Sequence, residues 1–252
     1  MPPLRLVQAT QPRSGTASFK KIAEILQTGT WEFPNDGKYN GSGGPGRLLE
    51  DLLGVKANNA DSPDLADWEI KFHGGSSLLT LFHKDPEPRG IIRVMVHEHG
   101  WDDGKGRISF RHTIKSETDR GFYVVNENDR IIIRNRFKDT AVPHWTHNTL
   151  FNALSSKCRR LIVVEGKVLK NPRQVIYQEA TAYWEPDIQG FSKAIADGVF
   201  YVDFDARTQK GAGSAIRNHG TKFRIKVDDL SKVYANKKKD NHRLGLIKYI
   251  NP

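Results

Sequence analysis

Residues 62–72, SPDLADWEIKF, place acids and an amine where they could hydrolyse a phosphodiester with a metal ion. In an extended strand successive side chains point to opposite faces. From Trp68 to Phe72, Glu69 and Lys71 then share one face, and Trp68, Ile70 and Phe72 share the other. Asp64 lies five steps before Glu69, about 16 Å if the chain is extended. A turn, which Pro63 and the short Leu65–Asp67 stretch allow, brings the two carboxylates together. Carboxylate oxygens are hard ligands suited to Mg²⁺, which keeps several waters and uses few protein groups. A lysine two residues on could hold the attacking water or stabilise charge on the scissile phosphate. Glu50, upstream on a helix, is a third carboxylate that could reach the same ion. Asp67 shares the face of Glu69 as another ligand or as surface charge. The spacing also suits an ordinary solvated strand, so the residues alone leave both readings open.

The elements that must position these groups follow from periodicity. Phe19, Ile22, Ile25 and Leu26 repeat at helical intervals over 16–28, and Gly29 can stop the helix. WEFPNDGKYNGSGGPGR follows as a glycine-rich loop, mobile at 41–46, entering a second helix, RLLEDLLG. The phosphate-binding GxxxxGK[ST] pattern is absent from it. SSLLTLFHK (76–84), IIRVMVHEHGW and RISFRHTI read as strands, and GFYVVNENDRIIIRNRF (121–137) reads as a hairpin. THNTLFNALSSKC reads as a helix, RRLIVVEGKVL as a strand buried on both faces, and VIYQEATAYW as a further strand. DIQGFSKAIADG is a helix that Asp187 can cap and Gly198 can end. VFYVDFDAR is a strand, and the basic 206–222 segment is a loop before FRIKV and a tail, NKKKDNHRLGLIKYI. Irregular alternation of strands and helices favours an α/β fold with a mixed sheet.

The chain has 252 residues, enough for one large or two small domains, and a formal net charge of +10. Such a charge makes a polyanion, either nucleic acid or an anionic membrane surface, the first partner to consider. The single cysteine, Cys158, excludes an internal disulfide framework and a cysteine-rich zinc site, and its setting points to a buried, inert thiol. No apolar run approaches the ~20 residues that span a bilayer. The N-terminus lacks the apolar stretch of a signal peptide, so a cytoplasmic location and no membrane partner are expected.

The stretch GPGRLLEDLLGVKANNADSPDLADWEIKFHGGSSLLTLFHKDPEPRG resembles the MvaI/BcnI restriction endonucleases, relatives of the MutH nicking enzymes in the PD-(D/E)XK superfamily. The resemblance returns at NHGTKFRI, a glycine-bearing element leading to Phe-Arg-Ile, while about 95–200 has no detailed match. It implies a restriction-endonuclease-like mixed sheet flanked by helices, in a bilobed DNA clamp. Residues 1–115 would form the catalytic lobe and 116–252 the recognition lobe. Asp64, Glu69 and Glu50 look like the metal-binding acids and Lys71 like the catalytic lysine. The implied reaction is Mg²⁺-dependent cleavage of double-stranded DNA, with Mn²⁺ as a substitute. It would act at a short CCNGG-like site, one strand at a time, by a monomer paired with a cognate DNA methyltransferase.

His83 closes the LLTLFHK strand, either as a donor to guanine in the major groove or as a surface histidine at a strand end. Lys210, Arg217, His219, Lys222 and Arg224 gather in fifteen residues, some as base readers and some as phosphate contacts. Arg224 alternates with Phe223 and Ile225, so it should leave the core, and it and His219 are the favoured base readers. Lys222 sits where the resembling enzymes vary, which marks it for the central base pair. His97 and His99, near Asp102 and Asp103, superficially suggest a metal site, but a strand end running into a turn explains them better. A MutH-like nicking enzyme and a non-catalytic DNA-binding module are the competing readings.

Overall fold

The computed structural model describes residues 15–55, 67–75, 77–138, 142–170, 173–209 and 215–241. Its elements in chain order are α1 (Gly15–Thr28), β1 (Thr30–Glu32), α2 (Gly44–Leu53), β2 (Glu69–Gly74), β3 (Leu79–His83) and α3 (Ile91–His99). There follow β4 (Trp101–Asp102), β5 (Ile108–Ile114), β6 (Phe122–Glu127), β7 (Arg130–Asn135), β8 (His144–Thr146) and α4 (His147–Cys158). The chain continues through β9 (Arg160–Leu169), β10 (Gln174–Pro186), α5 (Ile188–Ala196) and β11 (Tyr201–Thr208). It ends with β12 (Ile216–Asn218), β13 (Lys222–Ile225) and β14 (Tyr234–Asn241).

Two compact units result, and they interleave along the chain. One comprises Met1–Ser77, Ser156–Glu185 and Tyr234–Pro252; the other comprises Leu78–Ser155 and Pro186–Val233. The division is not the succession of halves at residue 115 that the sequence suggested. The cause is long-range pairing: β2 finds its partner in β9, ninety residues later, and β14 returns to β10.

The first unit is built on a five-stranded sheet, β1-β10-β9-β2 with β14 also on β10. β2 and β9 are parallel, while β9 and β10 are antiparallel, so the sheet is mixed as expected. Ile162 and Val164 on β9 join Ile70 on β2 in a core with Leu48, Leu49, Leu52 and Leu53 of α2. Leucines at these intervals form one stripe of the helix, and that stripe covers the apolar face of β2. Gly54, in the left-handed conformation at φ 75°, ends α2 through a backbone bond to Glu50 and Asp51 carbonyls.

The second unit holds a six-stranded sheet, β3-β13-β11-β5-β4 with β12 on β11, and a three-stranded sheet, β6-β7-β8. Phe82 and Phe223 stack at 5.0 Å, and Phe110 meets Phe204 edge to face at 5.3 Å, on the buried side of the larger sheet. IIRVMVHEH is a helix, not a strand. Its β-branched residues suggest a strand, but Ile91, Ile92, Met95 and Val96 are the buried ones, at helical spacing. Burial of that stripe overrides local propensity. His97 and His99 therefore lie in the last turn of a helix, and His99 packs edge to face on Phe122. The 206–222 segment is shorter as a loop than expected, because β11 runs to Thr208 and β12 occupies Ile216–Asn218. The tail begins as a strand, β14.

Candidate active site and basic sheet face

β2 alternates as its sequence demands. Trp68 and Ile70 are buried, and on the other face Lys71 Nζ donates to Glu69 Oε1 at 2.7 Å. The carboxylate is almost wholly enclosed, with 4% of its side chain exposed, against 18% for the lysine. Lys157, in the last turn of α4, brings a second ammonium to 3.9 Å from the same oxygen. Each carboxylate oxygen has two lone-pair sites, so Glu69 keeps ligating capacity after accepting from Lys71. Lys157 was not anticipated. Its only signal in the sequence is its place at the end of the helix that crosses over to β9, the strand parallel to β2.

The same sheet face continues into a second titratable row. Register sets His73 of β2 opposite Glu165 of β9, and Glu165 opposite Glu179 of β10. His73 Nδ1 lies 3.4 Å from Glu165 Oε1, and its Nε2 is 2.7 Å from the Ser77 carbonyl. A carbonyl only accepts, so Nε2 carries the proton of that contact. Burial, and then the hydrogen bond and charge of Glu179, push the Glu165 carboxyl above its ordinary value, with His73 opposing them.

Asp64 lies outside the described residues. Glu50 is half-buried on α2, which packs on the Ile70 side of β2. There burial, followed by the charges of Glu50, Asp51 and Tyr39, drives the Tyr177 phenol upward. Tyr177 rests edge to face on Phe72 and donates to the Pro45 carbonyl at 2.7 Å, on the face opposite Lys71. Asp67 is largely exposed and meets Arg160 at 3.4 Å, the behaviour of a surface charge. Glu69 supplies hard oxygen donors of the kind that hold Mg²⁺ through one or two carboxylates and its own waters, whereas the helix of Glu50 packs on the other face of β2. Among the described residues no three His, Cys, Asp or Glu side chains converge as a complete metal site.

In the second unit, His83, Arg217, Lys222 and Arg224 come onto the polar face of the six-stranded sheet. Lys222 pairs with His83 and Asp203, and Arg224 with Tyr201. His219, at the sheet's end, donates its backbone N–H to the Asp205 carbonyl. Lys210 lies outside the described residues. The sequence reading missed the acids between these cations. Asp205 takes Lys222 Nζ at 3.1 Å, and Arg111 Nε lies 2.9 Å away, an ion pair not aligned as a hydrogen bond. Burial raises the Asp205 carboxyl, but Lys222, Arg111 and His219 outweigh it and leave it below the usual range. Asp203 accepts from Thr113 at 2.8 Å and from Arg224 at 3.4 Å. Arg224 also donates to the Leu78 carbonyl at 3.0 Å, so much of its guanidinium is turned toward the protein. The alternation in YVDFDART was the available signal for this acidic row.

A restriction-endonuclease family model matches residues 19–234 of the chain. It is the MvaI/BcnI restriction endonuclease family, and the chain belongs to it. A solved structure titled "Restriction endonuclease MvaI-cognate DNA substrate complex" is similar over 92% of this chain and 100% of that one, with 24% identity and a TM-score of 0.74. Restriction endonuclease MvaI in the absence of DNA aligns over 92% of this chain and 99% of its own, with 22% identity and a TM-score of 0.53. These likenesses show the fold. Among curated protein sequences none matches.

Proposed function

We propose that the chain is a type II restriction endonuclease that cuts double-stranded DNA at a short CCNGG-like site, with Mg²⁺, one strand at a time. The observation that carries this is the Glu69–Lys71 pair at 2.7 Å on the polar face of β2, in a chain of a restriction endonuclease family. Asp64 and Glu69 would hold the ion, whose chemistry is to polarise the phosphoryl oxygen and acidify a bound water. Mn²⁺, which takes the same oxygen ligands, would substitute.

The chain's own groups supply positioning and charge. Glu69 fixes the Lys71 ammonium in direction, and the enclosed setting strengthens every charge interaction there. Lys71 can orient the attacking water or offset charge on the phosphate, and Lys157 adds positive potential beside it. The first unit is thus the catalytic one. The basic face of the second unit is the recognition surface, where His83, His219, Lys222, Arg224 and Arg217 would contact bases and phosphates. Lys210 would extend that surface. The enzyme would act as a monomer beside a cognate DNA methyltransferase.

Incubation of the purified protein with sequenced plasmid and Mg²⁺, followed by run-off sequencing of the ends, tests this. Complete double-strand cutting at one short site is expected, and Lys71→Ala should lower the rate at least about 100-fold while leaving the fold and DNA binding intact. Nicking alone would indicate a MutH-like repair activity. Binding without cleavage in any divalent ion would leave only a DNA-binding module.

A further inference from the structure

The polar face of the second unit's large sheet carries two kinds of cation. Arg111, Lys222 and Arg224 each lean on Asp205 or Asp203, at 2.9, 3.1 and 3.4 Å. Arg207 and Arg217 stand directly opposite each other across β11 and β12. Among the described residues neither forms an ion pair with a carboxylate, and the intervening residues 209–215, QKGAGSA, contain no acid. Like charges at directly opposed strand positions destabilise a sheet.

Two more guanidinia crowd this row. Burial, and then the charges of Arg107, Arg111 and Arg217, hold Arg207 below its ordinary value, and Asp205 opposes them. Arg107 is bound to Asp103 by two nitrogens at 2.8 and 2.7 Å, and Arg111 leans toward Asp205. The unneutralised charge therefore concentrates on the half-exposed Arg207 and the exposed Arg217. An anion between them would turn a repulsive pair into two charge-assisted contacts, and a phosphate diester offers the oxygens that a guanidinium meets two at a time.

Direction separates the two kinds. A cation that reads a base edge must be held at a fixed angle, as Asp205 holds Lys222 and Asp203 holds Arg224 through hydrogen bonds. Phosphate oxygens accept from many directions, and contacts to them position a duplex without specifying its sequence. We propose that Arg207 and Arg217 form a clamp for the DNA sugar-phosphate backbone at this end of the sheet, distinct in role from the aspartate-oriented cations. The proposal rests on the function argued above and assigns a surface within it.

The test is binding to duplex DNA of unrelated sequences, in the absence of divalent ions, across a salt series. Arg207→Gln/Arg217→Gln should weaken binding to every duplex by about tenfold or more near 0.1 M salt. It should also reduce the slope of log affinity on log salt by roughly 0.9 for each phosphate no longer neutralised. Arg207→Lys/Arg217→Lys should keep most of both. The charge-matched control Lys193→Gln/Lys232→Gln, at two exposed, ion-paired lysines, should do much less. The melting temperature of Arg217→Gln should hold or rise, because a repulsion is removed, where a structural role would lower it. Unchanged affinity and slope, a loss equal to the control's, or a loss confined to one DNA sequence would overturn the clamp. A protein that binds with this arginine-dependent slope yet never cuts would instead overturn the nuclease reading and leave the clamp standing.

Discussion

Glu69 is the buried acid on which two lysines converge, Lys71 at 2.7 Å and Lys157 at 3.9 Å. The nearer lysine is fixed by a hydrogen bond and the farther acts through its field. Lys157→Ala should therefore slow cleavage less than Lys71→Ala, by roughly tenfold against a hundredfold or more, in single-turnover measurements at saturating DNA. The Glu165–Glu179 pair makes a different prediction. Glu165 is raised in the folded chain, so its contribution to stability is full below its ordinary value of 4.5 and is lost as pH rises through the raised value. Glu179→Gln removes the neighbouring charge and should shrink that loss. Melting temperatures between about pH 4 and 7 would show a flatter profile for the variant, and parallel profiles would refute the coupling.

At the scale of elements, what could be read from sequence was what depends on local alternation. WEIKF sorts Glu69 and Lys71 from Trp68, Ile70 and Phe72 without any knowledge of the partner strand, and LIVVE announces a strand buried on both faces. The α3 segment failed because its β-branched residues and its helical spacing disagree, and only packing decides between them. The rows His73–Glu165–Glu179 and Arg207–Arg217 were illegible for another reason: they are made by register between distant strands, which no local pattern encodes. Register also explains a demand on Gly166, where an added Cβ would sit 2.1 Å from the Ile176 carbonyl oxygen. Gly166→Ala should separate β9 from β10 and cost about 1–3 kcal/mol, seen as a fall in the denaturation midpoint. Because β9 also carries β2, cleavage by this variant should fall at temperatures where most of the protein is still folded.

For the molecule as a whole, Cys158 offers a direct gauge of integrity. The thiol is fully buried, and its backbone carbonyl accepts from the buried Tyr234 hydroxyl at 2.7 Å, tying the end of α4 to the start of β14. A thiol reagent should label the native protein very slowly, at a rate that follows unfolding in denaturant. That tie also bears on the order in which the protein is made. Chains emerge from the ribosome N-terminus first, and every residue of the second unit has been synthesised by Val233. The first unit is still missing β14 at that moment, and β2 has had to wait for β9 before gaining its parallel neighbour. A nascent chain thus owns the strands of its basic face before the sheet bearing Glu69 and Lys71 is closed.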